Sequence, residues 1–153
     1  MRTLITSISS ALLMACCAPL YASELTAEQA ASLYTMAHGL TRYPMPEKPP
    51  LVHIVSNARL QEMGCKNACP GIHAVERYGE VFIDAALDMS DPYDASIVFH
   101  EFVHFLQWAN KGDATSCEEW EAREEEAYRL QGLVLEKSGS NRRMQPHSVG
   151  ICL

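Results

Sequence analysis

The spacing of apolar positions changes along the chain, and each change marks an element. Leu4–Leu20 is apolar or small throughout and carries no charge. A helical period starts behind Thr26-Ala27-Glu28-Gln29, which has the form of a capping box, and predicts a helix to about His38 with Gly39 as its stop. Pro44, Pro46, Pro49 and Pro50 then impose an extended connector, because each fixes φ and lacks an amide donor. Leu51–Val55 reads as a strand and Gly64–Gly71 as a loop, while Ala74–Tyr78 and Val81–Ala85 form a hairpin about Gly79. Ser90-Asp91-Pro92 sets a proline in a first helical turn and predicts a helix to about Asn110, closed by Gly112. Ser116-Cys117-Glu118-Glu119 is a second capping box, opening a helix to about Lys137 that Gly139 stops. This order predicts an α+β domain: an N-terminal helix, a short and mostly antiparallel sheet, then two helices.

Composition narrows the picture. At 153 residues, 48% hydrophobic and 20% charged, the chain suffices for one core and is neither disordered nor fibrous. Only 12 Lys+Arg face 19 Asp+Glu, a net charge of -7, so no nucleic-acid partner is expected. Arg2, the apolar run and the ending Leu20-Tyr21-Ala22 read as a signal peptide over residues 1–22, leaving a domain over residues 23–153. The run is short for a membrane span. Leu13-Met14-Ala15-Cys16 offers a rival, a lipobox that would anchor the chain through a lipid on Cys16. Both readings export the domain, so a secreted or periplasmic location is expected. In an oxidising compartment Cys65, Cys69, Cys117 and Cys152 would form two disulfides, with three connectivities open. Three residues separate Cys65 from Cys69, a wider spacing than a zinc ribbon uses.

The chemistry is concentrated in His100-Glu101-Phe102-Val103-His104, an H-E-x-x-H motif on a predicted helix. Four residues turn a helix by about 400°, so both imidazoles share a face and can bind one metal ion. Glu101 lies about 100° away, within reach of a water activated by that ion. The same helix carries Ile97, Val98, Phe99, Phe102, Val103, Phe105, Leu106 and Trp108, so it is expected to be buried. Histidines and a carboxylate in such a setting need a partner that satisfies them, and a metal ion does so. Metal-free, fortuitous histidines are the bland alternative.

The third ligand must come from elsewhere, because Gln107 and Asn110 stand where the metzincin pattern requires Gly and His. The next helix carries Glu118, Glu119, Glu121, Glu124, Glu125 and Glu126, most of them a solvated face. On a helical wheel with Trp120 at zero, Glu124 falls at about 40°, inside the apolar arc of Cys117, Trp120, Ala127, Leu130 and Val134. Glu124 is therefore the expected third ligand and Glu121, at the edge of the arc, the reserve. A salt bridge from Glu124 to Arg123 is the competing structural role.

His100-Glu101-x-x-His104 followed by Glu124-x-x-Ala127-Tyr128 resembles the gluzincin branch of the zincin metallopeptidases. The longer string from Val98 to Trp108, with Cys117, Trp120, Arg123, Glu124, Glu126, Ala127 and Tyr128, is similar to a family of small exported bacterial metallopeptidases. The resemblance implies a minimal zincin-like fold, with zinc on His100, His104 and Glu124 and Glu101 as general base. It implies peptide-bond hydrolysis of a protein or peptide substrate, along a rim formed by the strand near Val81–Ala85. Gluzincins commonly carry an Asp four residues after the ligand Glu, where this chain has Tyr128. Two roles are open to that hydroxyl: replacing the Asp in orienting a histidine, or stabilising an oxyanion. A catalytically silent zinc-binding module and an amidase acting on a non-protein substrate use the same residues.

Overall fold

The computed structural model describes residues 24–64 and 71–142. Their order is α1 (Ala27–Thr41), β1 (Leu51–Val55), α2 (Asn57–Gly64), β2 (Ala74–Arg77), β3 (Glu80–Asp84), α3 (Pro92–Lys111) and α4 (Cys117–Ser138). The class is α+β, as the hydrophobic pattern predicts. None of the described helices is long and apolar enough to cross a membrane. The leader segment, Cys16, Cys65, Cys69, Cys152 and His147 lie outside the described residues. Cys117, at the start of α4, is disulfide-bonded.

Helix α1 opens as a complete capping box, with Thr26 and Gln29 exchanging side-chain and backbone bonds. It does not stop at Gly39 but runs on to Thr41, closing on Arg42 at φ 61. A helical glycine costs only about 1 kcal/mol, which packing of α1 on α3 offsets; the stop comes from Pro44 downstream. The short helix α2 has no counterpart in the hydrophobic pattern. Its one fully buried apolar side chain is Leu60, too little to create a period.

The sheet has the order β1-β3-β2, with β1 parallel and β2 antiparallel to β3. It is mixed, which corrects the mostly antiparallel expectation. The reason is topological: α2 carries the chain over between β1 and the hairpin, so β1 enters alongside β3 in the same direction. The two-residue turn at Tyr78 and Gly79 has φ 55 and 81, the positive values a primed hairpin turn requires. Because β3 is bonded on both sides, it cannot be the rim strand that the family resemblance implies. Among the described residues, β2 is the edge that borders α3.

Helix α3 is the hub, with α1, α4, β2 and β3 all packed on it. Val98, Phe99, Phe102, Val103 and Leu106 are fully buried on it, and Tyr34 of α1 meets Phe102 and Phe105 edge-on at 5.8 Å each. Asp91 caps α3 by accepting from the Tyr93 N–H. Ser116 caps α4 by accepting from the Glu119 N–H, but the reciprocal half of that box is missing. The Glu119 carboxylate turns instead to the Thr115 N–H and hydroxyl and to Arg123.

Candidate metal centre

The 3.6-residue period brings His100 and His104 to the α4-facing side of α3, where the inward glutamate of α4 meets them. The two Nε2 atoms are 2.9 Å apart. Glu124 places Oε1 3.1 Å from His104 Nε2 and Oε2 3.5 Å from His100 Nε2. His100 is 6% exposed, and the side chains of His104 and Glu124 are 15% and 16% exposed, so the group is largely buried rather than on a solvated face. Among the described residues, His100, His104 and Glu124 are the group whose donor atoms converge closely enough to hold a metal ion.

The other partners open to these residues are engaged elsewhere. Arg123 pairs with Glu119 and donates to the Gly112 carbonyl at 2.7 Å, so the salt bridge it makes is not with Glu124. Glu121 is exposed and takes no part in the group. His53 is bonded to Glu80 at 2.9 Å and stacked on Phe82, and His73 lies 3.6 Å from Asp84. Tyr93 packs its ring under the Arg142 guanidinium at 3.8 Å.

Electrostatics follow from the shared gap. Burial disfavours a charged His104 ring, yet the bond and charge of Glu124, reinforced by Glu101 and Gln107, raise its pKa to about 9. Burial works against an ionised Glu124 too, and is outweighed by both histidines, which hold its carboxyl well below the usual range. The protein thus keeps an anion on α4 facing two imidazole nitrogens on α3. Two nitrogens and a carboxylate oxygen form a donor set suited to a divalent transition metal.

Glu101, whose charge reaches His104, turns one oxygen to β2, where Oε2 accepts the Glu76 N–H at 2.7 Å. Glu76 in turn accepts the Gly79 N–H at 2.8 Å, and burial raises its carboxyl above the usual value. The Tyr128 ring leans over His100, centroids 4.5 Å apart at 55°.

Sequence reasoning missed two residues of the site. Gln131 Oε1 meets His100 Nδ1, and Gln107 Oε1 meets His104 Nδ1, each at 2.9 Å. Both amides are buried, at 2% and 0% exposure. The signal available was their placement: Gln107 lies three residues after His104, and Gln131 seven after Glu124, on the same helical faces. No protein-family profile, curated protein or solved structure matches this chain.

Proposed function

We propose that this protein is an exported zinc-dependent hydrolase of gluzincin type, built on a minimal zincin-like fold and cleaving peptide bonds. The observation that supports it is the convergence of His100, His104 and Glu124 with Glu101 alongside. Zinc at about 2.0–2.1 Å from each ligand in tetrahedral geometry requires ligand atoms about 3.3 Å apart. The spacings of 2.9, 3.1 and 3.5 Å bracket that value. The chemistry such an ion supplies is Lewis acidity, polarising a carbonyl and making water a stronger acid.

The residues of the chain do the rest. Glu101 is the general base, taking the proton of the attacking water on Oε1 while Oε2 stays anchored to the Glu76 N–H. The Nδ1 of His100 is already bonded to Gln131, so Tyr128 is assigned the other of its two roles, donating to the developing oxyanion. The substrate is an extended peptide lying beside β2.

Zinc content decides first. The purified protein is expected to hold one zinc ion, and His100→Ala, His104→Ala and Glu124→Ala to lose it. Unfolded casein and peptide pools are then expected to be cleaved in a chelator-sensitive way. Absence of stoichiometric zinc refutes the site. Zinc without cleavage of any amide identifies a silent binding module, and cleavage confined to cell-wall amides identifies an amidase.

A further inference from the structure

The two imidazoles are held by amides, and the neighbours of those amides dictate which way every bond runs. Gln107 Nε2 lies 3.0 Å from the Arg123 carbonyl and 3.1 Å from Glu126 Oε2. A carbonyl only accepts, so that end of the amide is its NH2 group. The other end is the oxygen, and it faces His104 Nδ1 at 2.9 Å. An amide oxygen only accepts as well, so His104 Nδ1 carries a hydrogen.

His100 is reached through a longer chain of the same logic. Ser96 Oγ gives its hydrogen to the Tyr93 carbonyl at 2.6 Å. It therefore accepts from Gln131 Nε2 at 3.0 Å, which turns Gln131 Oε1 to His100 Nδ1 at 2.9 Å. That nitrogen too must be N–H. A neutral ring protonated at Nδ1 keeps its lone pair on Nε2. Both lone pairs then point into the gap shared with Glu124.

We propose that Gln131 and Gln107 are positioning residues that hold Nδ1–H of His100 and His104 toward the amides, so that each ring, once neutral, turns its Nε2 lone pair to the cation gap. This rests on the metal-site reading above. Each lock reaches beyond the site. Tyr43 donates to Glu126 Oε2 at 2.7 Å, fixing the acceptor that orients Gln107. Ser96, fully buried, fixes the one that orients Gln131. Carboxylates in the same places would set the same tautomer but add negative charge to a buried cluster that already holds Glu124 and Glu101. Neutral amides orient the rings and leave Glu124 as the one charged ligand.

The test reads tautomer and zinc affinity separately. In the full chain stripped of metal, long-range proton–nitrogen NMR followed to high pH identifies which nitrogen of each neutral ring keeps its hydrogen. Nδ1–H is expected on both rings, and Nε2–H on either overturns the proposal. Gln131→Met and Gln107→Met keep the size and remove the acceptor. Each is expected to mix the tautomers of its own histidine. Each should also weaken zinc binding about 10- to 100-fold, read by competition with a chromophoric chelator. Gln131→Glu restores an acceptor and is expected to recover both the tautomer and the affinity. Wild-type tautomers and wild-type affinity in both Met variants overturn the assignment. If a Met variant does not fold, the wild-type spectrum decides alone. A wild-type chain that binds no zinc refutes the metal-site reading, while the tautomer result still judges the two amides.

Discussion

Replacing Gly79 by alanine tests the seam between the hairpin and α3. Gly79 sits at φ 81, in the left-handed region, where a side chain costs about 1–2 kcal/mol. Its added Cβ would also stand 2.4 Å from Cζ3 and 2.6 Å from Cη2 of Trp108. Carbon atoms pack at about 3.5–4.0 Å, so the indole must retreat by about an ångström or the turn must lift away. Overpacking of this kind costs about 1–3 kcal/mol, giving about 2–5 kcal/mol in total. Gly139→Ala is the control: φ is 73, yet nothing lies within 4 Å of the added carbon, so only the backbone cost of about 1–2 kcal/mol remains. Urea unfolding with an unchanged m-value measures both variants, and Trp108→Leu closes a double-mutant cycle. Gly79→Ala is expected to lose about 1–3 kcal/mol more than Gly139→Ala, and the excess to vanish in the Trp108→Leu background. Equal losses in the two glycine variants, or an excess that survives without the indole, would refute the reasoning. On the proposed mechanism the same displacement loosens the Glu76 N–H from Glu101, so hydrolysis falls while zinc content holds.

Three further expectations are direct. The Thr115 N–H, the Arg123 guanidinium and the Thr115 hydroxyl hold the Glu119 carboxyl at about 2 against an ordinary 4.5, so its stabilising effect is complete above 4.5 and lost as pH falls through 2. Glu119→Gln should therefore melt below the wild type at pH 6, with the gap closing toward pH 2; a gap that persists there contradicts the account. Leu106→Ala, at a fully buried position, should cost about 2–5 kcal/mol in urea, against at most about 0.5 for Leu133→Ala at a 39% exposed one. Glu101→Gln should keep zinc and slow hydrolysis about 10²- to 10⁴-fold, and undiminished turnover would remove Glu101 from the mechanism.

How far the sequence could be read depended on the kind of signal. The boundaries of α3 and α4 were legible because Pro92, Gly112, Ser116 and Gly139 act locally, through ring geometry, left-handed backbone and a capping hydroxyl. The inward turn of Glu124 was legible because one glutamate fell inside an apolar arc, a conflict that only a buried partner resolves. Helix α2 left no mark, since a single buried leucine in eight residues has no period. The parallel entry of β1 was equally silent, because strand direction is set by how the chain crosses over and not by any residue within the strand. Gln107 and Gln131 were passed over because an amide is unremarkable in sequence and becomes specific only when its two ends meet different partners. The end of α1 shows the opposite failure: Gly39 looked like a stop, but tertiary packing overrode a cost of about 1 kcal/mol.

All three candidate ligands and both amides come from residues 92–138, two helices joined by the short segment 112–116. Bringing Glu124 to the histidines therefore closes one short loop, with little loss of chain entropy. The sheet reaches the centre through the Glu76 N–H on Glu101. On the proposed reading, the ion is held by one stretch of the chain, while its use also depends on another. A pair of helices retains the metal, and a β-hairpin some twenty residues upstream governs the base. Drift confined to the strands would silence turnover first and leave a metal carrier behind, whereas loss of His100, His104 or Glu124 would abolish both at once.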